Sequence, residues 1–444
     1  MNEWSYLPVE EIAAPRKGAL ATGPFGSSIG LSTFRDIGVP VIRGANLSEK
    51  ISQRLSDDGL VFVDPALAER FERSRVRFGD IIFTCWGTIG QVGIIDSRSK
   101  YDEYIISNKQ MKLTINENIA DPLFIYYYFS SPMGQAAILD KTIGSSVPGF
   151  NLTGLRSLLV PVPRLLEQKL IASVLGALDD KIELNRRMNV TLEAMARAIF
   201  KDWFVDFGPT RAKMEGRAPY LAPDIWSLFP DRLDEKGSPK GWTGSTIGRE
   251  VEVVGGSTPS TKEAAFWDGD IAWATPKDLS SLSAPVLLST ERRITDAGLS
   301  QISSGLLPVG TVLLSSRAPI GYVAITQMPV AVNQGFIAMV CRKQLSNVFV
   351  WLWTQANMDQ VHQKANGSTF QEISKGNFRP IAVTIAAPDI LRAFDDAVVP
   401  LFDRIVANEK ENITLAATRD LLLPKLMSGE VRVKDAERMV EDVL

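Results

Sequence analysis

The chain has 444 residues, 45% hydrophobic and 22% charged, which is enough apolar material for a sizeable core spread over two to four domains. Its 48 Lys and Arg against 51 Asp and Glu give a formal charge of -3, which excludes a basic field over the whole surface and leaves nucleic acid only a local patch. No run of 18 apolar residues and no cationic leader with an apolar core is present, so a cytoplasmic protein with no membrane partner is expected, and Cys85 and Cys341, each in an apolar strand-like run, read as reduced thiols.

In chain order, residues 1–163 read as an α+β domain. Short β-branched or apolar runs at 39–42, 80–83, 92–95 and 111–115 are bounded by Gly, Asp and Asn, as strands of a mixed sheet are. Residues 123–139 have helical spacing with Phe124, Tyr127 and Tyr128, 144–151 (GSSVPGFN) form a polar loop, and 158–162 return as a strand before Pro163. Residues 164–205 predict one long helix. Residues 206–241 are rich in Pro and Gly and predict a linker, ordered in part by Trp226 and Phe229. A second α+β domain is expected over 242–388, a second long helix over 389–429, and a short C-terminal tail over 430–444.

The first helix carries an unbroken 4,3 seam: Ile171, Leu175, Leu178, Ile182, Asn185, Asn189, Leu192, Ala196, Ile199 and Trp203. Moving 223 positions forward gives Phe394, Val398, Leu401, Ile405, Asn408, Asn412, Leu415, Arg419, Leu422 and Leu426, with Asn at the same two middle places. An antiparallel pairing sets Asn185 and Asn189 near Asn408 and Asn412, where buried amides can fix helix register at some cost in stability. The domains repeat as well: GDIIFTCWGTIGQVGII from Gly79 aligns with GTVLLSSRAPIGYVAIT from Gly310, Asn108-Lys109-Gln110 answers Asn333-Gln334, and KTIGSS from Lys141 resembles KANGST from Lys364. The expected fold is therefore α+β: two similar mixed-sheet domains joined by two long helices packed as an antiparallel coiled coil, a pseudo-twofold repeat within one chain.

Signs of catalysis are missing. His362 is the only histidine, no GxxxxGK[ST] phosphate loop occurs, the cysteines have no zinc spacing, and no Asn or Asp is followed by Pro-Pro and an aromatic, the signature of an amino-methyltransferase. Three readings stand: a two-headed DNA reader, a self-contained methyltransferase or nuclease with its own recognition domain, and a two-headed scaffold for protein. The absent motifs and the use of nearly the whole chain by the repeat weigh against the second. Only the acidic balance favours the third.

The spaced order of ATGPFGSSIG, GGSTPSTKEAAFWDGDIAWATPKDL, the paired IGxV turns, FKDWFVDFGPTRAKMEGR after the first helix and LLLPKLMSGEV near the end resembles the DNA-specificity subunits of type I restriction-modification systems. The resemblance covers nearly the whole chain. It implies a non-catalytic subunit in which each target-recognition domain reads one half of a bipartite, asymmetric site on double-stranded DNA. It also implies two methyltransferase subunits as partners, with S-adenosylmethionine bound by them and no cofactor in this chain, and motor-nuclease subunits joining that complex.

Groove recognition needs polar loops, cations for phosphates and amides for base edges. The candidates in the first domain are Ser27, Ser28, Arg43, Asn46, Trp86, Thr88, Lys109, Gln110, Lys141, Ser145 and Ser146; in the second they are Thr258, Ser260, Lys262, Trp273, Thr275, Lys277, Arg317, Asn333, Gln334, Lys364, Ser368 and Thr369. Trp273 also suits a core position. Leu170, Val174, Leu184, Met188 and Met195 lie off the strict seam and are candidates for partner docking. The loops differ between domains, VPGFN against FQEIS and CWGT against SRAP, which predicts unlike half-sites.

Overall fold

The computed structural model describes residues 4–26, 28–48, 50–144, 148–367 and 371–441. They form two compact units, the first made of Met1–Glu183 with Asn412–Leu444 and the second of Leu184–Glu411. Both long helices, Leu165–Phe200 and Pro388–Met427, therefore contribute one part to each unit.

In the first unit a four-stranded antiparallel sheet runs Leu20–Thr22, Gln110–Leu113, Ile81–Thr84, Val92–Ile94, beside a mixed sheet of Val61–Val63, Val39–Ile42, Glu103–Ile106 and Arg75–Arg77. The latter is mixed because Val39–Ile42 pairs parallel with Glu103–Ile106. Ser5–Pro8 closes the head against Leu159–Val162, the strand that leads into the helix. The central strand Ile81–Thr84 is buried along its whole length, which accounts for its continuous apolar run.

The second unit repeats this plan. Glu252–Val254, Phe336–Val340, Val312–Ser316, Ile320–Thr326 and Val286–Leu287 form one sheet, and Arg292–Ile294, Trp267–Ala274 and Ala331–Val332 the other. Thr243–Thr246 pairs antiparallel with Ala382–Ile385 just before the second long helix.

Residues 123–139, expected as one helix, are two. Asp121 and Ser131 each accept a hydrogen bond from the backbone N–H three residues on, and Pro122 and Pro132 each open a nine-residue helix. A proline at that position starts a new helix because it has no N–H to give to the previous turn. Likewise the stretch after residue 430 holds the helix Val433–Glu441, seated through buried Ala436 and Val440, where only a short tail was expected.

The seam residues are interior except Leu192, Ile199 and Leu401, which are half-buried. In the first unit Ile171, Leu175, Leu178 and Ile182 pack with Leu415, Leu422 and Leu426 and with the ring-rich helix Pro122–Ser130. In the second, Phe200, Phe204, Phe349 and Phe394 interlock edge to face, with Trp203 tilted against Phe394, at centroid distances of 4.9–5.9 Å. Aromatic edges carry partial positive charge and faces negative, so these contacts add to area burial. The helices run antiparallel in both units: Asp179 meets Arg419 in the first, and Asn189 meets Asn408 in the second.

After Phe200 the first helix widens into a π turn, Lys201–Val205, and ends at Phe207 in the left-handed region, φ 54°. Gly208 follows where a Cβ would lie 1.9 Å from Asp202 Oδ1, so a larger residue there would have to displace that carboxylate and the Tyr220 hydroxyl that donates to it. Beyond it the Pro- and Gly-rich stretch contains the helices Gly208–Met214 and Pro223–Leu228, and buried Phe229 packs edge-on against Trp203 at 5.0 Å.

Candidate nucleic-acid interface

Four loops of the first head converge at one sheet edge through backbone hydrogen bonds. The Gly23 N–H donates to Gln110 O, the Cys85 N–H to Lys109 O, and the Phe150 N–H to Cys85 O, tying the glycine-rich loop, the hairpin tip and the polar loop around one strand end. The side chain of Asn108 donates to Gly26 O at 3.2 Å. Trp86, at the hairpin tip, lies over the Gly149 backbone, where a Cβ would come within 2.5 Å of the indole, and remains 47% exposed. A half-exposed indole braced by backbone is a preformed stacking or groove surface.

The second head builds the same edge from different chemistry. The Ser257 N–H donates to Val332 O, the Ser316 N–H to Gly335 O, and the Ile373 N–H to Ser316 O. Thr258 Oγ1 donates to Gln334 Oε1 at 2.7 Å. At the tip, where the first head has Trp86, stands Arg317, paired across an isolated bridge with Glu372 at 3.6 Å.

These ladders set the correspondence between the heads. Thr84 faces Gln110 as Ser315 faces Phe336, so Asn108 corresponds to Gln334 and Ser107 to Asn333. The sequence alignment of Asn108 with Asn333 is therefore shifted by one residue. Asn108, exposed at this edge and absent from the candidates, belongs beside Gln334; its signal was the amide shared by both loops.

The candidates divide into edge and scaffold. Ser28, Trp86, Thr88, Lys109 and Lys141 are exposed in the first head, and Thr258, Ser260, Lys262, Gln334 and Lys364 in the second, with Arg317 and Asn333 half-buried. Ser27, Ser145, Ser146, Ser368 and Thr369 lie outside the described residues.

Several candidates are corrected to scaffold. Asn46 is buried; its Oδ1 accepts the Arg43 N–H and its amide donates to Ser56 O and Asp58 O, each at 3.0 Å. Gln110 is fully buried and hydrogen-bonded to the Ser107 hydroxyl. Arg43 donates to Gly59 O at 2.9 Å and stacks on Phe34. Trp273 is 3% exposed, and its indole N–H supports Ser257 O from beneath at 3.3 Å. Asp278 accepts from the Thr275 N–H and hydroxyl, the role that Asn46 fills in the first head, which makes Thr275 the cap of a helix, whereas Lys277 stays exposed, paired with Glu291 at 2.8 Å.

Of the docking candidates, Leu170, Leu184 and Met195 are exposed and Met188 is half-buried. Val174 is corrected: it is 7% exposed and packs in the core of the first unit. Leu166, Val190, Ile413 and Leu421 add exposed apolar surface on the helices that the seam pattern did not single out.

Among the described residues no group of three or more His, Cys, Asp or Glu could hold a metal ion, and no helix is long and apolar enough to cross a membrane. Burial pushes the thiols of Cys85 and Cys341 up to about 12, so neither is a poised nucleophile.

Two heads of similar plan, their strands divided four and four in the first and five and three in the second, each present a four-loop edge, polar and aromatic in the first and polar in the second, which is the form of a two-headed recognition protein. Residues 38–194 and 239–390 both match the type I restriction modification DNA specificity domain, and the chain belongs to that family. It is 26% identical over 377 residues to the type I restriction enzyme HindI specificity subunit of Haemophilus influenzae, covering 74% of this chain and 82% of that one. It is 35% identical over 175 residues to the MjaIX specificity subunit of Methanocaldococcus jannaschii, covering 39% of this chain and 40% of that one. The crystal structure of the type I restriction-modification S subunit from M. genitalium shares the fold, with a TM-score of 0.54 at 15% identity over 96% of each chain. The chain is thus a specificity subunit, the non-catalytic component of a type I restriction-modification system.

Proposed function

We propose that each head reads one half of a bipartite, asymmetric DNA site, while the helix pair sets the spacer and docks two methyltransferase subunits. The observation that carries this reading is that one four-loop edge is built twice on one backbone plan but presents different side chains. Trp86 stands where Arg317 does, and Asn108 where Gln334 does. An indole offers stacking or apolar contact with a thymine methyl, whereas a guanidinium matches guanine O6 and N7 bidentately.

The methyl donor, S-adenosylmethionine, would be bound by the methyltransferase partner, and motor-nuclease subunits would join through it. Exposed Leu170, Leu184 and Met195 are the apolar surface offered for docking. The Asn185, Asn189, Asn408 and Asn412 group would hold helix register and, through it, the spacer. Asn408 Nδ2 donates to Asn189 Oδ1 at 2.7 Å, and Asn185 and Asn189 donate to Glu411 and Glu409 at 2.8 and 2.7 Å.

Mapping adenine methylation in cells with and without this gene tests the reading. The expected motif is non-palindromic, with two specified blocks around an unspecified spacer. A palindrome, or methylation unchanged by loss of the gene, would sink it.

A further inference from the structure

Beside the recognition edge of the first head lies an open cleft of about 750 Å³, lined by residues 17–18, 20–25 and 70–74 with Leu152 and Arg156. It shares Gly23, Pro24 and Phe25 with the glycine-rich loop of that edge, so edge and cleft form one continuous surface. Four cations reach it: Lys17, Arg70, Arg73 and Arg156, all exposed and none in an ion pair among the described residues. The one carboxylate in the lining, Glu72, already faces Arg75 at 2.9 Å and Arg77 at 3.1 Å, so its charge is compensated outside the cleft.

We infer that this cleft is a phosphodiester track: Lys17, Arg70, Arg73 and Arg156 take the DNA backbone flanking the first half-site, fixing the duplex against the edge that Trp86 and Asn108 present. The inference rests on the proposed reading of DNA by that edge and adds the residues that position the duplex without reading it. Four unpaired cations on a chain of net charge -3 form the local patch that phosphate binding needs.

Continuity with the recognition loop favours backbone phosphate over a free nucleotide or pyrophosphate, since the groove is open and leads onto the edge. In the second head the counterpart of Arg156 is tied to backbone. Arg379, which stands 223 positions after Arg156, donates to Val253 O at 2.7 Å.

The test compares the full-length chain with its R70Q/R73Q/R156Q variant, each with the methyltransferase subunit, binding a duplex with the mapped site and a mixed-sequence duplex over 50–200 mM salt. The variant is expected to lose at least about tenfold affinity on both duplexes and to flatten the slope of log K against log salt by about 0.9 per lost contact, with site preference unchanged. An unchanged slope would overturn the inference, as would affinity lost on the mapped site alone, which would make these side chains base readers. Pyrophosphate binding that the substitutions abolish while DNA binding holds would assign the cleft to a free phosphate and also overturn it. A wild-type complex that does not prefer its mapped site would overturn instead the reading on which the inference rests.

Discussion

The two units solve the same junction, head against helix pair, in opposite chemistry. In the first, Asp179 is fully buried and accepts from Arg419 at 2.7 Å and from the Tyr127 hydroxyl at 2.7 Å. Arg54, from a loop of the head, donates to Tyr127 at 2.9 Å and to Asp96 at 2.6 Å. The repeat of 223 positions carries Asp179 onto Phe402 and Arg419 back onto Ala196. Both of these are buried in the second unit, and the Trp351 ring lies 5.6 Å from Phe402. One junction is a buried hydrogen-bonded charge network, the other a packed aromatic contact.

The difference separates stability from geometry. Rings pack in several nearly equivalent ways, whereas Asp179 satisfies Arg419 and Tyr127 together only in one arrangement of head and helices. A buried ion pair adds little net stability over apolar packing, yet breaking one partner is costly because the other charge stays behind. The first head is accordingly pinned by direction as well as held by area, the second by area.

Four measurements bear on this contrast. The largest expected effect is Phe394→Ala in the second unit, which removes the ring shared by Phe200, Trp203, Phe204 and Phe349 and should cost about 3–5 kcal/mol in urea unfolding. Next, Arg419→Met should cost about 3 kcal/mol and loosen hydrogen-exchange protection in Leu165–Phe200 on the first-unit side. Exchanging the chemistry, D179F with R419A, should cost less than the two single changes summed, by about 1–3 kcal/mol. Additive costs would mean that the two residues do not act as a pair.

The smallest effect is on pH. Burial alone would raise the Asp96 carboxyl, but the hydrogen bond and charge of Arg54, with Arg98, outweigh it and hold Asp96 below the usual range. Its contribution is then present above about pH 4, the unfolded value, and is lost as pH falls through the lowered folded value. Asp395 in the second unit goes the other way: burial raises it, the Ser346 hydrogen bond offsets this only in part, and the Asp396 charge adds to the rise. That group favours the folded state as pH falls toward its raised value. Exchange protection followed by fragment should therefore weaken first in the first unit below about pH 4, and equal weakening in both units would contradict the assignment.

Much of this architecture was legible because it rests on local periodicity. The 4,3 seam located the helix pair, and short apolar runs between turn residues located Val39–Ile42, Val92–Ile94 and Leu159–Val162. What stayed hidden depended on distant partners. Nothing near Arg54 announces Asp179, and Arg419 stands in the seam with no sign in its neighbours of the carboxylate that the other helix supplies. At the candidate interface the sequence marks the loops but does not separate edge residues from scaffold. A cap such as Asn46 and an edge residue such as Asn108 are the same amino acid in similar polar surroundings, and only the backbone ladder turns one inward and the other out.

The central claim, that each head reads its own half-site, is tested most directly by mapping methylation in cells carrying either Trp86→Ala or Arg317→Ala in this chain. The account predicts that W86A relaxes or changes only one block of the bipartite motif and R317A only the other, with the spacer the same in both. If either substitution altered both blocks, or if both altered the same block, the heads would not be independent readers and the account would fail.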